Sequence, residues 1–295
     1  MQGTVDGFSY GLVTPLVAYL MACLGGALGL RCTTRTMRVA RSWRPGWLAL
    51  GSAAIGSGIW TMHFIAMMGF TIEGTPIRYD MAMTFASLAV AIVMVGIGIF
   101  IVGYRGARGA ALFTGGTITG LGIASMHYLG MAGMRLDGEL RYNTLTVGAS
   151  VVIAMAAATA ALWAAGQVRG FLWSVGASLV MGLAVSGMHY TGMAALRVHL
   201  HGTAEPASGE SAAALIAPMM IGPLAFLVLA GIVVIFDPLT VMGEPAGAQT
   251  DHRPGVPARP ARPAVHDPAG PAARRPWPHP RRHLARRRPR VPQNR

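Results

Sequence analysis

Three stretches of this chain set a histidine among methionines at one fixed spacing: "TMHFIAMM", "SMHYLGMA" and "GMHYTGMA", centred on His63, His127 and His189. A methionine follows each histidine by four positions, as Met67, Met131 and Met193. Residues four apart lie on one face of a helix, with Cβ atoms about 5–6 Å apart. Each copy therefore presents an imidazole beside a thioether. A second methionine precedes each histidine, as Met62, Met126 and Met188. It is rotated by about 100° around the helix, so it either reaches the site or packs a neighbouring helix. Between histidine and following methionine stands a small residue, Ala66, Gly130 or Gly192, which permits close helix contact at that level.

Imidazole and thioether without thiolate or carboxylate form a soft-to-borderline ligand set. Methionine sulfur favours Cu(I), and imidazole accepts either copper oxidation state. Zinc prefers sets with thiolate or carboxylate, calcium and magnesium want oxygen, and no acid lies inside these apolar stretches. Copper is the expected metal, with room for more than one ion if three helix ends converge. Haem is the competing cofactor: two histidines from different spans would ligate it axially, and Arg135 and Arg197 would meet its propionates. The bland alternative is a histidine that hydrogen-bonds a backbone carbonyl. Three copies at one depth with the same neighbours weigh against it, because an ionisable group inside a membrane is costly and usually functional.

The elements that must position these residues are membrane helices. Of the 295 residues 53% are hydrophobic and only 12% charged, against about 25% charged in soluble domains. Seven apolar runs are long enough to cross about 30 Å of hydrocarbon: approximately 8–30, 47–70, 83–104, 110–134, 146–165, 171–196 and 215–236. Glycine pairs such as Gly25 with Gly29 and Gly116 with Gly120 suit close helix approach, and Pro218 and Pro223 should bend the last span. The fold class expected is an all-α integral membrane protein of seven transmembrane helices. Arginine is concentrated in the first, third and fifth connections and in the tail, twenty residues against four on the other side. By the positive-inside rule the N-terminus lies outside and the C-terminus inside, so the multi-pass membrane chain carries its histidines near the outer face.

Two domains are expected: a membrane domain over 1–242 and a disordered Pro/Arg-rich cytoplasmic tail over 243–295. The formal net charge of +13 owes much to that tail, so it does not point to a nucleic-acid partner. All 24 basic residues are arginine, which excludes a retinal protein built on a lysine Schiff base. Cys23 and Cys32 read as free packing thiols, and His199 and His201 as a solvated loop. No nucleophile–base set, phosphate loop or paired carboxylates occur, so no enzymatic activity is expected. A proton path would want buried carboxylates that the spans lack.

The histidines are separated by 64 and 62 residues, the mark of a repeated helix pair. The pairs expected are spans two and three, four and five, six and seven, with the first span outside the repeat. In this layout the motifs share one depth, near the ends of spans two, four and six.

"SGMHYTGM" resembles the signature of the MHYT domain, an integral membrane sensor domain of bacteria, over about residues 1–242. The resemblance implies copper bound through these Met and His residues and sensing of a diatomic gas such as O2, CO or NO. Carried over by position, the motif residues are Met62, His63 and Phe64; Met126, His127 and Tyr128; Met188, His189 and Tyr190. Tyr128 and Tyr190 would orient an imidazole or a bound ligand through the hydroxyl, which Phe64 lacks. Many family members continue into a cytoplasmic diguanylate cyclase or phosphodiesterase domain, and the tail of this chain is too short and too polar for one. A sensor of this kind would signal through a separate cytoplasmic partner. The rival from another class is a copper carrier or assembly factor for a respiratory oxidase.

Overall fold

The computed structural model describes residues 5–6, 10–36, 40–72, 76–136, 138–167, 171–200 and 212–236. The tail over 243–295, His201 and Arg169 lie outside the described residues. Among those described there are seven long helices: α1 Val13–Thr36, α2 Arg44–Met68, α3 Met81–Arg105, α4 Gly109–Ala132, α5 Thr144–Gln167, α6 Phe171–Ala194 and α7 Ala212–Ile235. All seven are long and apolar enough to span a membrane. In lipid every backbone N–H and C=O must find a partner within its own segment, which is why the apolar runs become helices. α1 runs six residues past its apolar stretch, so Cys32 lies in the helix and is buried, and Arg35 falls in its last turn. Both cysteines are free. α4 and α6 end about two residues sooner than their apolar runs because the chain turns there into short strands. Pro218 and Pro223 stand inside α7.

Among the described residues six strands gather at the end that carries the histidines: β1 Val5–Asp6, β2 Thr71–Ile72, β3 Arg78–Tyr79, β4 Met134–Arg135, β5 Gly138–Tyr142 and β6 Leu196–Leu200. They pair antiparallel as β1 with β2, β3 with β4 and β5 with β6. Each ribbon ties the residues before an odd-numbered helix to those after the next even-numbered one. A backbone bond repeats the tie: the Asp80 N–H donates to the Gly133 carbonyl at 2.8 Å and the Asn143 N–H to the Ala195 carbonyl at 2.9 Å. Asp80 and Asn143 also accept from Met83 N and Thr146 N at 3.0 Å, capping α3 and α5.

The three-dimensional repeat is thus α1–α2, α3–α4 and α5–α6, each pair closed by a ribbon. Helix packing follows a ring, α1–α2–α3–α4–α5–α6 and back to α1, while α7 lies against α2 and, less, α1. The repeat expected from the histidine spacing set α1 apart and paired span six with span seven. The structure draws the boundaries one helix earlier: α1 fills the place between α6 and α2 that α3 and α5 fill in the other two units. A period in the sequence fixes the length of a repeat but not where each copy starts, and the ribbons decide that here.

Small residues set how closely the helices pack, since no hydrophobic force drives helices together in lipid. Gly25 of α1 and Gly58 of α2 sit back to back; a Cβ on Gly58 would lie 2.6 Å from the Gly25 Cα. Gly116 and Gly120 of α4 pack equally close on the backbone of α5 at Thr159 and Met155.

Candidate metal centre

The three motif histidines occupy equivalent places. His63, His127 and His189 each stand five residues before the last residue of α2, α4 and α6. These three helices approach one another at that level, and their imidazoles, 0–1% exposed, meet on the common axis. The Nδ1 atoms form a near-equilateral triangle: His63 to His189 3.1 Å, His63 to His127 3.2 Å, His127 to His189 3.3 Å. Ring centroids are 4.9–5.1 Å apart with interplanar angles of 73–89°, so the rings are arranged as a propeller. Each imidazole also meets the next residue's ring edge to face, at Phe64, Tyr128 and Tyr190, with centroids 4.7–5.0 Å apart.

Three neutral imidazoles cannot satisfy one another in this geometry. A ring N–H aimed at the axis serves one neighbour's lone pair, and the third nitrogen is left facing either a hydrogen or a lone pair. Three imidazolium charges cannot coexist at such separations in a dry interior. A cation on the axis removes the conflict. The point equidistant from the three nitrogens lies about 1.8–1.9 Å from each, against about 2.0–2.1 Å for a metal–imidazole bond. The rings need to open by only about 0.2 Å, which is within ordinary tolerance for a metal site.

The small residues act as the sequence suggests. Gly130 of α4 packs on the His63 ring and Gly192 of α6 on the His127 ring; a Cβ there would stand 2.6 and 2.5 Å from the respective Nε2 atoms. Those two Nε2 atoms are buried without a hydrogen-bond partner. Behind His63 and His127 stands tight glycine packing, with no carboxylate or carbonyl bonded to either Nε2. Met62, Met126 and Met188 are buried, as are Met67 and Met131, while Met193 is half-buried. By helical spacing Met67, Met131 and Met193 lie one turn beyond the histidines toward the ribbons, on the histidines' face of each helix.

One turn to the other side stands a ring of Ile59, Ile123 and Val185, all buried. Below it is an apolar cavity of about 30 Å³ with Ile55, Thr119 and Met181 in its wall. A space so poor in polar partners stays dry. Apolar side chains thus stand between the histidine triangle and the opposite end of the bundle.

The hydroxyls behind the motif aromatics were not legible as a set. Tyr128 shares a 2.7 Å hydrogen bond with Ser150 of α5. The counterpart of Ser150 is Ser87 of α3, and Phe64 has no hydroxyl to reach it. Trp60, one turn earlier on α2, does so instead: its indole N–H donates to Ser87 Oγ at 3.0 Å and to the Thr84 carbonyl at 3.2 Å. The signal was a serine 23 or 24 residues after the histidine in an otherwise apolar helix. Arg135, considered for a propionate, pairs with Asp80 at 3.2 Å; Arg197 is exposed on β6 opposite Arg141. His199 is half-buried on β6 opposite Glu139, in a ribbon and not a solvated loop.

Residues 56–115 and 120–178 each match the MHYT family profile, described as "Bacterial signalling protein N terminal repeat". The first range contains His63 and the second His127. The chain is 36% identical over 197 residues to the bifunctional diguanylate cyclase/cyclic di-GMP phosphodiesterase MucR of Pseudomonas aeruginosa, covering 65% of this chain and 29% of that protein. It is 34% identical over 209 residues to the cyclic di-GMP phosphodiesterase NbdA of the same organism, covering 66% and 26%. It is 29% identical over 198 residues to the signaling protein YkoW of Bacillus subtilis, covering 65% and 24%. The chain thus spans less than a third of the length of these curated relatives. No solved structure matches.

Proposed function

From the MHYT repeat that this chain carries and the three imidazoles that converge inside it, we propose a copper-dependent membrane sensor. The protein is a multi-pass protein of the bacterial cytoplasmic membrane, and the repeat is that of bacterial signalling proteins. In this reading the Nδ1 atoms of His63, His127 and His189 hold one copper ion. Met67, Met131 and Met193 supply soft sulfur on the ribbon side, and Met62, Met126 and Met188 line the same level. The observation that carries the proposal is the nitrogen triangle, with edges of 3.1–3.3 Å. Copper held there would supply redox chemistry or a site for O2, CO or NO. Phe64, Tyr128 and Tyr190 hold the imidazoles beside them edge to face, while the Tyr128 hydroxyl bonds Ser150 and not an imidazole.

The concentration of arginine at the end opposite the histidines supports a centre near the outer face, with N-terminus outside and C-terminus inside. A change of charge or ligation at the triangle bears on α2, α4 and α6 at once, and would shift their packing toward the arginine end, where a cytoplasmic partner would read it. Full burial favours a retained ion over one passed to an oxidase. Haem suits the triangle less, because it would have to enter between rings whose nitrogens are already in contact.

The test is elemental analysis of protein purified from copper-fed cells. One copper per chain is expected, lost in the His63→Ala/His127→Ala/His189→Ala variant. Copper retained in that variant overturns the ligand assignment, and stoichiometric zinc in the wild type overturns the metal, since zinc accepts the same three nitrogens.

A further inference from the structure

At the end of the bundle away from the histidines, a cavity of about 470 Å³ opens among the ends of α1, α2, α3, α4 and α5. Such a volume is typical of small-molecule sites. Its wall includes Arg44, Arg105 and Arg108, with Thr33, Thr36 and Gln167 between them. None of the lining residues is acidic. Among the described residues the carboxylates are Asp6, Asp80 and Glu139, and all three belong to the opposite end, in or beside the ribbons. The arginines of the cavity have no described carboxylate with which to pair.

Two further features point to an anion. The Arg44 Nε is buried and has no hydrogen-bond partner, a state that costs free energy until an acceptor arrives. α2 and α4 both begin at this cavity, at Arg44 and Gly109, and neither has a side chain capping its first turn. Their free N–H groups add donors and positive potential. The C-terminal ends of α1, α3 and α5 oppose that potential, so the three guanidinium charges set the sign. Arginine presents planar pairs of N–H donors, which match phosphate oxygens. Helix ends lie at the headgroup level of a bilayer, so the phosphate of a lipid and a free phosphate ester can both reach the cavity.

We propose that this cavity is a phosphate-binding site, occupied by the headgroup of an anionic phospholipid or by a soluble phosphate. It places an anion where five of the six ring helices end, and links their spacing to the membrane or the soluble phase. The site does not depend on the metal reading.

The full chain in detergent is titrated with inorganic phosphate while its thermal unfolding is followed. In parallel it is delipidated from nanodiscs of phosphatidylglycerol or of phosphatidylcholine, and retained lipid is counted by native mass spectrometry. Saturable stabilisation by phosphate, weakened at least about tenfold in Arg44→Gln/Arg105→Gln/Arg108→Gln, supports a soluble ligand. One retained phosphatidylglycerol per chain, lost in that variant, supports the headgroup. The exposed Arg41→Gln, outside the cavity, should behave as wild type in both arms. If the triple variant misfolds, Arg108→Gln alone carries the test, because its side chain is exposed. Equal phosphate response and equal lipid retention in wild type and variant overturn the proposal. Loss of copper in the histidine variant with phosphate binding intact would separate the two sites.

Discussion

Adding one methyl group at Gly130 should break the nitrogen triangle while leaving every proposed ligand side chain in the sequence. A Cβ there would stand 2.6 Å from His63 Nε2, 3.1 Å from its Cδ2 and 3.4 Å from Phe64 Cζ. Ordinary contact begins near 3.4 Å, so the His63 ring has to retreat by about 0.8 Å. The imidazole is rigid and its Nδ1 moves with it. Metal–ligand distances tolerate about 0.2 Å, so the shift takes one of three nitrogens out of range. The expected loss is about 10–100-fold in copper affinity, the size seen when the support behind a ligand is removed. Gly192→Ala should do the same through His127, whose Nε2 stands 2.5 Å from the corresponding Cβ. Gly148→Ala on α5, where a Cβ meets nothing within 4 Å, is the control. Competition titration with a Cu(I) chelator measures affinity, and X-ray absorption counts the nitrogens. Gly130→Ala with wild-type affinity and three nitrogens would refute the axial site and the role of glycine packing in it.

Ser150→Ala should lower stability by about 1 kcal/mol, because it strands the half-buried Tyr128 hydroxyl; Ser87→Ala should cost no more, since the Trp60 N–H keeps the Thr84 carbonyl. Denaturant or thermal melts in detergent check both. Gly120→Val should destabilise by about 1–3 kcal/mol by forcing α4 away from the backbone of α5 at Met155, read from the loss of thermal stability with helix content intact below the transition. Asp80 caps α3 through Met83 N and pairs with Arg135, and both hold its carboxyl below the ordinary 3.8. Its contribution is present above that value and is lost as pH falls through the lower folded-state value. Asp80→Asn should therefore melt earlier than wild type at pH 7, and the gap should close on acidification below about pH 4. A gap that stays constant down to pH 3 would show that the carboxylate charge contributes nothing.

Seven helices, the three histidines at one depth and the small residue beside each were legible in the sequence. The reason is that lipid imposes one rule on every span: a run of apolar residues closes its hydrogen bonds as a helix, and a helix keeps residues four apart on one face. Chain position alone therefore placed His63 with Met67 and repeated the arrangement at His127 and His189. Other features depend on contacts between distant segments, and no local pattern encodes them. The ribbons decide that the units are α1–α2, α3–α4 and α5–α6, since a 64-residue period has no intrinsic starting point. That the three Nδ1 atoms meet, with Gly130 and Gly192 packed behind two of the rings, depends on neighbouring helices. Trp60 and Ser87 meet only because α2 and α3 pack side by side, which brings a donor to the place where Phe64 has none. The arginine cavity exists because five helix ends stop short of closing over it, a fact of assembly that charge counting along the chain could not supply.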